Sequence, residues 1–177
     1  MIRVELVSET QHESLIDLLC ELHVYYNEGS AVSREIVRVH LLENLLAADS
    51  PQRLAVAFTD SGDVVGLAAI TLFYSLVEPT FGKCRQCHLK ELYVRSSARS
   101  MGAGKMLMSW VTRHALENGC SRIDWSVKAS NVSGISFYEE LGADLVVERL
   151  SYRLSEPNMS RLAYQCAKVS LEDERLV

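Results

Sequence analysis

Arg99-Ser100-Met101-Gly102-Ala103-Gly104-Lys105 stands between a β-rich run, Leu89 to Arg95, and an amphipathic run, Lys105 to Leu116. Gly102 and Gly104 carry no Cβ, so the backbone can curl tightly and bring its N–H groups against a ligand. A helix starting here leaves its first N–H groups unpaired and carries about half a positive charge at that end. Arg99 and Lys105 add full charges. The stretch reads as an anion-binding turn suited to a phosphate or pyrophosphate, with a plain turn and helix cap as the alternative. Its spacing matches neither of two nucleotide motifs. A Walker loop ends in Gly-Lys-Ser/Thr, and a dinucleotide fingerprint needs Gly-x-Gly-x-x-Gly after an early strand.

Working outward, Ile2 to Leu6 alternates like a strand, and Leu15, Leu18, Leu19, Leu22 and Tyr25 or Tyr26 recur at helical spacing up to Gly29. A second helix is expected after Ser33, with Ile36, Val37, Val39, His40, Leu42 and Leu45 as its apolar face. Arg53 to Thr59 and Val64 to Phe73 read as strands joined by the Asp60-Ser61-Gly62-Asp63 hairpin loop. A looser segment, Ser75 to Lys83, leads into the strand before the glycine turn. Beyond the long helix, Gly119 ends it, Ser121 to Val127 reads as a strand, Val132 to Leu141 as a short helix, and Leu145 to Leu154 as one or two further strands. The order predicts an α/β protein with a mixed sheet, hairpins first and strand-helix-strand crossovers after.

The chain has 177 residues, 48% of them hydrophobic and 23% charged, which suits one domain over 1–177, with a core over 3–154 and a mostly polar tail over 155–177. A net charge of -5 argues against nucleic acid as a partner. No apolar run is long enough to span a membrane, and the N-terminus lacks a signal peptide's apolar segment, so the cytoplasm is the expected location. Cys84-Arg85-Gln86-Cys87-His88 matches a haem-attachment pattern but runs straight into a strand-like sequence. Cys20, Cys120 and Cys166 are scattered singly, so no metal site is expected.

A second constellation follows: Trp125-Ser126-Val127 with Asn131, then Phe137-Tyr138-Glu139-Glu140-Leu141-Gly142-Ala143. A strand ending in Arg-x-x-Gly-x-Gly, a helix, a strand, an Asn before a short helix and a Phe-Tyr-x-x-Leu-Gly-Ala ending resemble the GNAT superfamily of acetyl-CoA-dependent N-acetyltransferases, most closely its diamine (spermidine/spermine) branch. The resemblance spans Arg3 to Leu154. It implies acetyl-CoA as co-substrate, with Arg99, Ser100, Met101, Gly102, Ala103, Gly104 and Lys105 around the pyrophosphate. It also implies that Leu92, Tyr93 and Val94 pair their main chain with the pantetheine arm, that Asn131 and Ser136 lie along it, and that the protein forms a homodimer.

The chemistry of such a transfer sets demands. An alkylamine has a pKa near 10, so at neutral pH about one molecule in a thousand is the nucleophile, a deficit of roughly 4 kcal/mol. A base or a desolvating pocket must make this up, and the leaving thiolate benefits from an acid. The resemblance gives the acid to Tyr138, with a core aromatic as the alternative. Diamine acetyltransferases often carry two adjacent acids before the turn. Here those positions hold Lys90 and Glu91, which leaves Glu91 as base, directly or through water, or as a solvated strand residue. Glu28, Glu78 and Glu91 are the acids available for a cationic acceptor, while Lys83, Arg85 and Lys90 would repel one. The acceptor is therefore open among a polyamine, an aminoglycoside, an amino acid and a protein lysine, and a non-catalytic acyl-CoA-binding regulatory module is the reading from another class.

Overall fold

A computed structural model of the chain describes residues 1–164. Contacts divide it into two compact units, Met1–Ser126 and a second from Val127 onward. In the first unit five strands form one sheet in sequence order: β1 (Ile2–Leu6), β2 (Gln52–Thr59), β3 (Val64–Tyr74), β4 (Arg85–Val94) and β5 (Cys120–Asp124). The first four run antiparallel, and β5 joins β4 in parallel. Helices α1 (His12–Tyr26) and α2 (Arg34–His40) lie between β1 and β2, and α3 (Ala103–Glu117) connects β4 to β5. The mixed sheet flanked by helices is the architecture read from the order of elements.

One face of the sheet belongs to α1 and α2. Leu15, Ile16, Leu18, Val37 and Leu41 pack on Leu54, Val56 and Phe58 of β2 and on Leu67 and Ala69 of β3. The other face takes α3, which buries Leu107, Met108, Val111 and Ala115. Gly66 shows how closely that helix approaches: a Cβ there would stand 3.0 Å from Leu107 Cδ1 and 3.1 Å from the Tyr93 carbonyl oxygen. Ala68, two residues on, shares that face by strand alternation.

The second helix differs from its expected pattern. Val37 and Leu41 point to the core four residues apart, while Ile36, Val39, His40 and Leu42 are exposed. A helix of seven residues followed by a π-helical turn over Leu41–Leu45 presents only one such row. Ser33 caps it, accepting the Ile36 N–H at 3.2 Å. Arg34 and Arg38 tie it to α1: Arg34 bonds Asp17 at 2.7 Å and Glu13 at 2.9 Å, and Arg38 donates to Glu13 as well. The Cys84-x-x-Cys87 segment enters β4, where Cys87 opposes Leu72 and His88 opposes Thr71, on opposite faces of the sheet. Burial pushes the Cys87 thiol up to about 11.

In the second unit α4 spans Val132–Glu140. Its end explains Leu141-Gly142-Ala143. Gly142 takes φ 81°, its N–H reaches the Glu139 carbonyl and the Ala143 N–H reaches that of Tyr138 at 3.1 Å, a helix stop that glycine adopts at no steric cost. The strands expected over Leu145 to Leu154 do not form. That stretch is outside the sheet, Leu145, Val147, Leu150 and Tyr152 are exposed, and a turn from Arg149 N–H to Val146 interrupts it. β-branched residues favour a strand only where a neighbouring edge accepts their hydrogen bonds. Residues 158–164 are helical, and the rest of the tail from 165 onward, Cys166 included, lies outside the described residues.

Candidate active site

The turn after β4 has the geometry an anion needs. A short 3-10 turn, Ser96–Ala98, leaves β4, and the Arg99 Nε donates back to the Val94 carbonyl at 3.2 Å. Ser100 (φ 61°) and Gly102 (φ 84°) are both left-handed, which folds the chain directly onto the start of α3. Gly102 is the residue before the helix and has no side chain to cap it, so the first N–H groups of α3 receive no side-chain acceptor. Free N–H groups, the helix end and the Arg99 and Lys105 charges fit a pyrophosphate.

β4 itself is split lengthwise. β3 pairs along most of it, with Val94 opposite Gly66, Tyr93 opposite Leu67 and Leu92 opposite Ala68. β5 pairs only with Arg85, Cys87 and His88. From Leu89 onward, β4 has a ladder partner on one edge among the described residues of this unit. The other edge offers the main-chain groups of Leu92, Tyr93 and Val94 to an extended amide chain such as pantetheine.

The same strand carries a bulge. Ala69 opposes Glu91 and Ile70 opposes Leu89, so Lys90 is the extra residue. Lys90 is exposed, and Glu91 shares the α1 face with its partner Ala69. There the Tyr26 hydroxyl, from the last turn of α1, donates to Glu91 Oε1 at 3.1 Å. Tyr25 packs beside it, its ring edge-on to that of Tyr26 at 5.1 Å and tilted against that of Tyr93 at 5.9 Å. Burial, with the Glu21 charge adding to it, raises the Tyr93 phenol above its ordinary value.

The other acids are placed differently. Glu28 sits two residues past Tyr26 in the turn that ends α1, in the left-handed region at φ 53°. Glu78 lies in the β3–β4 loop, at the opposite end of β4 from Glu91. It caps its own turn there: a side-chain hydrogen bond from Thr80, with the Thr80 N–H at 2.9 Å adding to it, lowers its pKa. In the second unit Asn131 does cap α4, accepting the Gly134 N–H at 3.0 Å. Ser136 and Tyr138 lie on α4, the Tyr138 ring edge-on to Phe137 at 5.2 Å. Tyr26 is the residue the sequence reading missed, having been taken as helix face. The signal was a pair of tyrosines in the last turn of a helix, where a hydroxyl can reach water or a carboxylate.

A mixed sheet in which a short parallel β5 covers only the first half of β4, with a glycine turn starting the helix between them, defines an acyltransferase type of fold. Residues 14–143 match the acetyltransferase (GNAT) family, and the chain belongs to that family. It is similar to the L-ornithine N5-acetyltransferase of Arabidopsis thaliana, 31% identical over 62% of this chain and 47% of that protein. It is also similar to the thialysine N-epsilon-acetyltransferase of Bos taurus, 32% identical over 37% of this chain and 39% of that protein. The chain thus spans less than half the length of these curated relatives. Among solved structures, an integron cassette protein from the mobile metagenome of V. cholerae superposes with a TM-score of 0.82 at 26% identity, over 92% of this chain and 97% of that one. No helix among the described residues is long and apolar enough to cross a membrane.

Proposed function

We propose that the protein transfers the acetyl group of acetyl-CoA to a primary amine of a small molecule. The observation that carries this is β4: one strand ends in the pyrophosphate-shaped turn and, a few residues earlier, holds the Glu91 carboxylate on the α1 face. Acetyl-CoA supplies the activated acyl group. Arg99 to Lys105 would hold its pyrophosphate, the main chain of Leu92 to Val94 its pantetheine arm, and Asn131 and Ser136 the same arm from α4. Glu91 takes the proton of the incoming ammonium, directly or through water, while the Tyr26 hydroxyl holds the carboxylate in place. Tyr138 gives its phenolic proton to the leaving thiolate and recovers it from solvent.

The relatives' names describe acetylation of the N5 amine of ornithine and the ε-amine of thialysine, terminal amines on short chains. A diamine or polyamine presents the same amine, and Glu28 and Glu91 near the end of α1 favour that second reading. The proposal extends to a cytoplasmic setting and, from the family resemblance, to a homodimer. The experiment is coenzyme release measured against ornithine, lysine, putrescine, spermidine, an aminoglycoside and a lysine peptide. Turnover of a short-chain amine is expected, and Tyr138→Phe should lower kcat about ten- to a thousand-fold while leaving acetyl-CoA affinity nearly intact. Acetyl-CoA binding with no release on any amine would instead support the non-catalytic module.

A further inference from the structure

Beside Tyr93 the α1 face opens into a cleft of about 600 Å³ that the transfer chemistry does not use. Glu21 and Val24 of α1 line one side of it, and Tyr93, Arg95, Ser96 and Ser97 at the end of β4 line the other. Across it the Arg95 guanidinium meets Glu21 Oε1 at 3.1 Å. Arg95 is mostly buried, its side chain 23% exposed, and its Nε is shut from solvent without a hydrogen-bond partner among the described residues. Glu21 is half-exposed, so one carboxylate oxygen and several guanidinium N–H groups remain for a third party.

A site that sets one carboxylate against one guanidinium selects by charge pattern. A ligand carrying an ammonium and a carboxylate on the same carbon answers both, the carboxylate on Arg95 and the ammonium on Glu21, with no net charge brought into the cleft. A diamine or polyamine instead brings a second cation toward Arg95. Ser96 and Ser97 offer hydroxyls that bond to either end of such a zwitterion.

The position of the cleft fits a molecule with an amine at its other end. Glu91, Tyr93 and Arg95 follow one another at alternate positions, and Glu91 and Arg95 are about 13 Å apart along the chain. The two side chains close part of that span, and Tyr93, whose ring packs 5.9 Å from that of Tyr25, stands between them on the same face of the strand.

We infer that the Arg95–Glu21 cleft is a recognition site for the α-amino-acid head of the acceptor, which makes the substrate an α,ω-diamino acid and Arg95 the residue that tells it from a plain diamine. This rests on the proposed transfer to an amine at Glu91. It is tested with matched pairs, L-ornithine against 1,4-diaminobutane and L-lysine against 1,5-diaminopentane, by calorimetric binding in the presence of coenzyme A and by steady-state rates. The wild type should bind and turn over the diamino acids at least ten-fold better than the diamines. Arg95→Met should raise the diamino acid KM about ten- to a hundred-fold, leave the diamine values and the acetyl-CoA KM alike, and lose the preference; Arg95→Lys, which keeps charge without the planar fork, should fall between. Equal binding of both members of a pair, no binding of either, or a rise in the acetyl-CoA KM alone in Arg95→Met would overturn the inference. Binding that prefers the diamino acids without acetyl transfer would uphold the cleft and refute the proposed reaction.

Discussion

Glu91 has a double dependence: on β4 for its position and on Tyr26 for its orientation. A carboxylate that accepts a phenol O–H is held in one rotamer and partly desolvated by the ring. If it takes the amine proton, Glu91→Gln should lower the rate at neutral pH and lose much less at high pH, where free amine is abundant. If it only holds the cation, the substitution should raise KM and leave the pH profile alike. Tyr26→Phe separates positioning from packing, because it deletes the hydroxyl and keeps the ring. A fall in kcat of several-fold with the acceptor KM and melting temperature unchanged is expected from steady-state kinetics, and wild-type kcat in Tyr26→Phe would release Tyr26 from that role.

The elements that frame this site differ in how far the sequence reveals them. The glycine turn was legible because its requirement is local: left-handed backbone at Gly102 and bare N–H groups follow from residue type alone. The face that Glu91 occupies was not legible, since it depends on the Lys90 bulge, and a bulge is set by the register between two strands. Leu145 to Leu154 failed for the same kind of reason, a strand pattern without a partner. The α1–α2 pair also rests on a non-local device. Hydrogen bonds from Arg38 and Arg34 hold Glu13 at a pKa of about 2, below its ordinary 4.5. A depressed acid contributes stability that is whole above pH 4.5 and is lost as pH falls through 2. Glu13→Gln should therefore melt lower than the wild type at neutral pH, and the two melting curves should converge between pH 4.5 and 2. The gap should also narrow in high salt, because Glu13 is exposed. A gap that persists at pH 2 would assign the loss to packing.

At the scale of the whole molecule, the native fold alone brings the turn, the open edge of β4 and the start of α3 into one register, so a ligand spanning them binds the folded chain and ignores the unfolded one. Acetyl-CoA at about a hundred times its dissociation constant should then add roughly 2.7 kcal/mol of stability, read as a rise in melting temperature. Gly102 decides how much of that gain survives. A Cβ there meets nothing within 4 Å, so the only obstacle is the backbone angle of φ 84°. Asparagine tolerates that region and valine does not. Gly102→Asn should keep most of the ligand-induced rise. Gly102→Val should lower the melting temperature of the free protein and lose most of the rise, since the chain must leave the left-handed region and swing the N–H groups of the turn off the pyrophosphate. The comparison uses the shift within each variant, which separates binding from the cost of strain. A wild type whose melting temperature does not move in saturating acetyl-CoA would remove the coenzyme from the turn, and equal shifts in Gly102→Val and the wild type would remove the turn from the coenzyme.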